Sequence, residues 1–150
     1  MSLTVPNQWE NDSIHLNQTD FDVFDRLISM PTLILNAEKV LFVNAGFKHV
    51  FGFDAEALNQ KSILSFINPV FVNVFETTIN RALAGETYVD QGELCVKTKD
   101  RNIFWVEHKS RVVTYNDAPH VLMHLMEINE KKRVESHLSR LLKLRESMLE

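Results

Sequence analysis

The side chains in this sequence that could act as acids, bases, nucleophiles or metal ligands include six histidines and one cysteine. His108 stands out among them. Alternation along residues 105–113 puts it on the less charged face of a strand, with Val106 and Ser110, and that face is predicted to point inward. A buried imidazole must find a hydrogen-bond partner or lose its charge. We expect His108 to bond a neighbouring side chain or water, or to contact a bound polar ligand.

The single cysteine, Cys95, excludes an internal disulfide and any multi-cysteine zinc site. It alternates with Gln91, Glu93 and Lys97, which predicts that it lies on the outer face of a strand. The sequence has no Gly-x-Ser-x-Gly turn and no His-Glu-x-x-His segment, and its four glycines are few for a phosphate-binding loop. We therefore predict that the chain is not an enzyme, has no catalytic residues and holds no metal ion.

The composition is that of one soluble globular domain, with 150 residues of which 45% are hydrophobic and 24% charged. A net charge of −4 offers no basic surface for nucleic acid. The longest apolar runs are about six residues, against the roughly 20 that cross a bilayer. The sequence therefore predicts a cytoplasmic protein with no nucleic-acid partner and no membrane span.

The elements that must position these side chains follow from hydrophobic spacing and from turn residues. The predicted order is a helix over 20–30, strands at 32–36 and 40–43, short helices from residues 44, 54 and 62, a helix over 69–85, strands at 88–98, 102–115 and 120–128, and a helix over 130–150. Helices packed on one face of an antiparallel sheet make an α+β domain. We assign residues 1–19 to a flexible lead-in, 20–129 to the domain and 130–150 to an exit helix.

With these residues in this order, the chain resembles the PAS domain family between residues 20 and 135. The matching segments are Leu33–Asn36, Val43–Ala45, Phe51–Phe53, Leu83–Glu86, Lys99–Asp100, Trp105–Glu107, Glu127–Glu130 and Lys131–Arg133. Arg101 replaces a common glycine, and Glu127 and Asn129 replace the Asp and Thr of the family's exit signature. The resemblance implies a five-stranded antiparallel sheet with short helices on one face, an N-terminal cap helix and a C-terminal exit helix.

The resemblance also implies an interior between the sheet and the helices. The residues expected to line a ligand pocket there are Phe51, Phe66, Phe71, Phe75, Val106, His108, Met123 and Leu125. A filled hydrophobic core is the alternative for the same residues. No cofactor is identified. Haem is not favoured because residues 69–85 contain no histidine, and flavin is not favoured because the family's reactive cysteine position corresponds to residues 61–65.

The exit helix carries an apolar stripe at steps of four and three residues, which is coiled-coil spacing. Its members are Val134, Leu138, Leu141 and Met148, and a second register runs through Val134, His137, Leu141, Leu144 and Met148. The stripe either packs on the domain's own sheet or pairs with a second copy, and we favour a homodimer.

The function implied by the resemblance is that of a sensor module in a bacterial-type, two-component signalling protein. It would respond to a small ligand or a partner and pass the change to a following effector domain, a histidine kinase or a diguanylate cyclase. The relay would run through Glu127, Ile128, Asn129, Glu130 and Lys131. The alternative is a ligand-free PAS dimerisation module with a filled core.

Overall fold

The computed structural model describes residues 14–85 and 89–149. In that part of the chain the elements are β1 Ile14–Leu16, α1 Gln18–Leu27, β2 Thr32–Leu35, β3 Val40–Val43, α2 Ala45–Phe51, α3 Ala55–Lys61, 3-10 turns at Ile63–Ser65 and Pro69–Phe71, α4 Val72–Leu83, β4 Val89–Lys97, β5 Ile103–Tyr115, β6 Ala118–Glu127 and α5 Asn129–Leu149. Of the lead-in predicted for residues 1–19, residues 1–13 lie outside the described part of the chain, as do the strand start at Tyr88 and the helix end at Glu150. Residues 14–19 hold β1 and the start of α1 instead of a flexible lead-in.

The predicted five antiparallel strands are present, and their order in the sheet is β3–β2–β6–β5–β4. β1 adds a sixth strand, which the sequence analysis did not expect, and pairs parallel with the end of β5 opposite residues 113–115. Three residues are too few to show alternation. We attribute the strand to packing: Phe21, which follows it in the chain, packs on the sheet and keeps this segment beside β5.

The short helices begin and end where side-chain caps predict. Asn44 caps α2 by accepting a hydrogen bond from the Phe47 amide at 2.9 Å, and Gly52 ends the helix in the left-handed conformation with φ of 83°. Asn68 bonds the Val70 amide, but the turn that it opens is a 3-10 turn that precedes α4. The segment predicted as a short helix from residue 62 is also a 3-10 turn.

The hairpin between β5 and β6 is tighter than predicted. The turn consists of Asn116 and Asp117, both with positive φ, which is the backbone of a two-residue hairpin turn. β6 therefore begins at Ala118, two residues earlier than expected, and Pro119 pairs with Thr114 inside the strand. Arg101 also has a positive φ, of 66°, at the position where the family often has glycine.

Apolar side chains form a core on each face of the sheet. The inner face packs against α2, α3 and α4 and carries the main core. A smaller core on the outer face lies under α1, where the Phe21 ring stacks between Phe42 and Tyr115 at centroid distances of 4.9 and 5.0 Å. α1 is therefore the N-terminal cap helix, and it leaves the outer face around β4 and the end of β6 uncovered.

Candidate functional site

The interior between the sheet and the helices is packed with aromatic rings. Phe51 and Phe66 meet at 5.2 Å between ring centroids, and Phe47 meets both of them at 5.0 and 5.4 Å. Seven of the eight predicted pocket residues are buried there, namely Phe51, Phe66, Phe75, Val106, His108, Met123 and Leu125. The structure therefore brings the predicted set together, in an arrangement that suits a filled core.

His108 lies inward on β5 and is 3% exposed. Its Nδ1 and the Ser110 hydroxyl are 2.9 Å apart, so it bonds a neighbouring side chain. Gly92 lies opposite on β4, and a Cβ added there would come within 3.1 Å of the His108 Nε2. The imidazole thus packs directly against the backbone of β4.

Phe71 and Cys95 lie at the margin of that interior, by the edge of the sheet, and Phe71 packs against the main core from there. Phe71 is half-buried, and its ring meets the Trp105 ring edge-on at 5.5 Å. Cys95 pairs with Trp105 across the strands but is buried rather than exposed, because residues 66–68 run along β4 and the Asn68 amide reaches its sulfur. Burial raises the pKa of the Cys95 thiol, so the protonated, unreactive form is favoured.

A cavity of about 420 Å³ opens at one end of the interior, between the β2–β3 turn and α4. Phe75 is the predicted pocket residue that reaches it. Its rim is polar: Asn59 clamps the Val40 backbone with two bonds of 2.8 Å, and Asn36 holds the turn through the Lys39 amide. A ligand that enters here would meet amide groups first and the Phe75 ring behind them.

The start of α5 is bonded to β5 at the predicted relay segment. The Ile128 amide donates to the Trp105 carbonyl at 2.8 Å, and the Trp105 amide donates to the Asn129 side-chain oxygen at 2.7 Å. The Asn129 amide group in turn donates to a Glu127 carboxylate oxygen at 3.0 Å. Three of the five predicted relay residues therefore form one hydrogen-bonded junction with the sheet.

Glu93, which was not among the predicted relay residues, fastens the helix through Lys131 and Lys132. The Lys132 ammonium pairs with the Glu93 carboxylate on β4 and lies 4.8 Å from the centre of the Trp105 ring. Lys131 adds a second contact to Glu93 at 3.6 Å. The hydrogen bond with Lys132 lowers the pKa of Glu93 and raises that of Lys132. The only sequence feature that pointed to this contact was the alternation that places Glu93 on the outer face of β4.

Beyond this junction, α5 stands away from the sheet. Every described residue from Arg133 to Leu149 is exposed, including the apolar stripe Val134, Leu138, Leu141 and Met148. The described part of the chain therefore does not cover this stripe, and packing on its own sheet is not the arrangement found.

A family model described as the PAS fold matches residues 40–125, which is more than half of the chain. The chain therefore belongs to the PAS family. No curated protein sequence matches it.

Solved structures share the fold at low sequence identity. A sensory box histidine kinase/response regulator from Burkholderia thailandensis E264 is 16% identical, with a TM-score of 0.60 over 84% of this chain and 98% of that one. A PAS domain from Colwellia psychrerythraea is 13% identical, with a TM-score of 0.62 over 75% and 97%. An RNA-binding light-oxygen-voltage receptor is 14% identical, with a TM-score of 0.66 over 96% of this chain and 40% of its own.

Within residues 14–85 and 89–149, no helix is both long and apolar enough to span a membrane. The same residues contain no group of three or more His, Cys, Asp or Glu side chains placed to hold a metal ion.

Proposed function

We propose that this PAS domain is a sensory module that responds to a small ligand or a partner and passes the response along α5 to an effector domain. The observation that carries the proposal is the junction at the start of α5. Asn129 and Lys132 fix the first turn to β5 and β4, whereas every described residue from Arg133 to Leu149 is exposed. A helix held only at its base turns when the strands beneath it shift.

A continuous path of contacts supports the relay. β4 carries Gly92 against the buried His108 ring, and the next residue, Glu93, holds Lys131 and Lys132. A change in the interior that displaces His108 would move the β4 backbone and, with it, the base of α5. The predicted relay thus extends from Glu127–Lys131 to Glu93 and Trp105.

The proposed output is an effector of the histidine kinase or diguanylate cyclase type, reached through α5. Similar folds occur in proteins described as sensor histidine kinases, which supports the first type. The exposed stripe supports a homodimer in which two α5 helices pair, because a single helix cannot bury it. A cytoplasmic location is part of the proposal, and the free, buried Cys95 is consistent with a reducing compartment.

The test is native mass spectrometry of the purified protein before and after denaturation. A non-covalent small molecule that is released on unfolding would support the sensor and would give the mass of its ligand. Addition of that molecule should then change amide exchange at Glu93 and in the first turn of α5. A ligand that binds without any change at this junction would contradict the relay.

The second candidate is a ligand-free dimerisation module, and the ring cluster around Phe47, Phe51 and Phe66 favours it. This candidate predicts a dimer that carries no small molecule and that weakens when residues 130–150 are removed. A dimer without any bound small molecule in the same mass spectrum would favour the dimerisation module over the sensor.

A further inference from the structure

The uncovered outer face of the sheet holds a cavity of about 530 Å³, on the opposite side from the aromatic interior. It lies between the end of α1 and the strands β4, β5 and β6. Its lining residues are Ile28, Met30, Gln91, Glu107, Lys109, His124 and Met126. Two methionines and a histidine in one surface cavity are an unusual donor set, and neither the aromatic core nor the relay uses them.

Strand pairing makes these three side chains neighbours. Thr32 pairs with His124, and the Leu125 amide bonds the Pro31 carbonyl at 2.9 Å, so the same register sets Met30 opposite Met126. Opposite residues on one face have Cβ atoms about 5 Å apart, and residues two positions along a strand are about 7 Å apart. Methionine side chains with three rotatable bonds can bring their sulfurs together over such distances.

The hydrogen bonds of Thr32 determine which nitrogen of His124 carries its proton. The Thr32 hydroxyl donates its one hydrogen to the Met30 carbonyl at 2.9 Å. Its oxygen must then accept the bond from His124 Nδ1, 2.8 Å away, so Nδ1 is protonated. The lone pair of a neutral ring is therefore on Nε2. A ligating histidine is held by a second-shell acceptor in the same way.

Two charged side chains flank this imidazole. Burial and the neighbouring Lys109 ammonium lower the pKa of His124. Lys109 lies opposite His124 on β5, and the Glu107 carboxylate lies opposite Met126. The two charges oppose each other, so little net negative charge is available to attract a divalent ion.

We propose that Met30 Sδ, Met126 Sδ and His124 Nε2 bind a soft monovalent cation of the Cu(I) class. Thioether sulfur and imidazole nitrogen are the donors that select such an ion over Mg²⁺, Ca²⁺ or Mn²⁺, which prefer oxygen. The near-cancellation of Glu107 and Lys109 agrees with a single positive charge. None of the three proposed ligands is a relay residue, although Met126 directly precedes Glu127 and the cavity residue Glu107 pairs with Glu93 across the strands.

The test is titration of the full chain with Ag(I), a redox-inert analogue of Cu(I), read by native mass spectrometry. The protein carries Cys95→Ser so that the thiol cannot compete. We expect one Ag(I) per chain, bound at least about tenfold more weakly after Met30→Leu or Met126→Leu. Met148→Leu is the matched control, because that side chain is 84% exposed on α5, and it should leave binding unchanged.

Nitrogen-15 spectra of the histidines give a second readout. Ag(I) should shift the His124 Nε2 resonance while Nδ1 stays protonated, and the other histidines should not respond. Leucine matches methionine in size and both positions are partly exposed, so the variants are expected to fold, which a thermal melt verifies. Binding that survives the double Met30→Leu, Met126→Leu change, or an unshifted His124, would overturn the site, as would no bound Ag(I).

Discussion

Asn44 joins three segments of the chain through one buried side chain. Its oxygen accepts from the amides of Thr32 and Phe47, each at 2.9 Å. Its NH₂ group donates to the carbonyls of Ile28 and Met30, also at 2.9 Å. The end of α1, the start of β2 and the start of α2 therefore meet at this amide. A buried polar group that loses its partners costs more than the bond itself contributes, so this position should be sensitive.

Asn44→Ala should lower the free energy of unfolding by about 3 kcal/mol, since it removes a helix cap and leaves buried backbone groups unpaired. Asn44→Asp keeps the accepting oxygen but cannot donate. Its free energy of unfolding should therefore lie between those of the wild type and of Asn44→Ala. Urea denaturation followed by circular dichroism measures both. A loss below about 1 kcal/mol for Asn44→Ala would show that water replaces the amide.

At the scale of elements, α5 and β4 are connected by charged side chains at the sheet edge. Lys132 pairs with Glu93 and with Glu135, the latter at 3.5 Å, and lies over Trp105. Most of the helix beyond them is solvated, so these few contacts and the Asn129 bond set the angle at which α5 leaves the sheet. In the proposed relay, this angle sets the position of the effector domain.

The ion pair should respond to pH at both ends of the scale. The pKa of Glu93 is lowered from 4.5, so its contribution is fully present above that value and is lost as pH falls through the lowered pKa. The pKa of Lys132 is raised from 10.5, so its contribution is present below that value and is lost as pH rises through the raised pKa. The protection factors of the Ile128 and Lys132 amides, which are exchange rates corrected for the intrinsic pH dependence of amide exchange, should be greatest between these limits.

Glu93→Gln should remove the acid limb of that profile and speed exchange in the first turn at neutral pH. Lys131→Gln is the matched control, because Lys131 is more exposed and lies 3.6 Å from the same carboxylate, and its effect should be smaller. If the two changes had equal effects, Lys131 would contribute to the ion pair as much as Lys132, contrary to this prediction.

At the scale of the whole molecule, the protein has a sheet with a core on each face, and one helix, α5, extends away from it. The inner core and the smaller core under α1 bury both faces of β2 and of the first half of β6. α5 instead presents Leu138 and Leu141 to solvent, 53% and 49% exposed. An apolar stripe of this length on a charged helix is the surface that a second copy would cover.

Leu138→Glu should weaken self-association by on the order of tenfold or more, because a carboxylate would enter an apolar seam. Ser139→Glu places the same charge on the opposite side of α5 and should leave association unchanged. Leu144→Glu separates the two possible registers, since Leu144 belongs to the second one only. Sedimentation equilibrium measures all three. A wild-type protein that remains monomeric at high concentration would contradict the pairing itself.

Much of the fold could be predicted, because local patterns encode it. The alternation over residues 105–113 correctly predicted that His108 points inward, and the short helix predicted from residue 44 begins after its Asn44 cap. The predicted start of β6 was two residues late, since the turn needs positive φ at Asn116 and Asp117 and neither is glycine. The family resemblance placed Phe71 in the pocket, but its ring is half-buried at the margin of the core, where it meets Trp105.

By itself, the sequence determined which segments are helices and strands, which faces of the strands are buried, and to which family the chain belongs. These features depend on residues a few positions apart, so spacing is enough to read them. Only the tertiary structure decided that Lys132 meets Glu93 and that Met30, His124 and Met126 share one cavity. The cavity depends on the register between β2 and β6, whose paired residues are about 90 positions apart in the chain, and the ion pair depends on where α5 leaves the sheet. The burial of whole faces sets that register, and no local pattern encodes it.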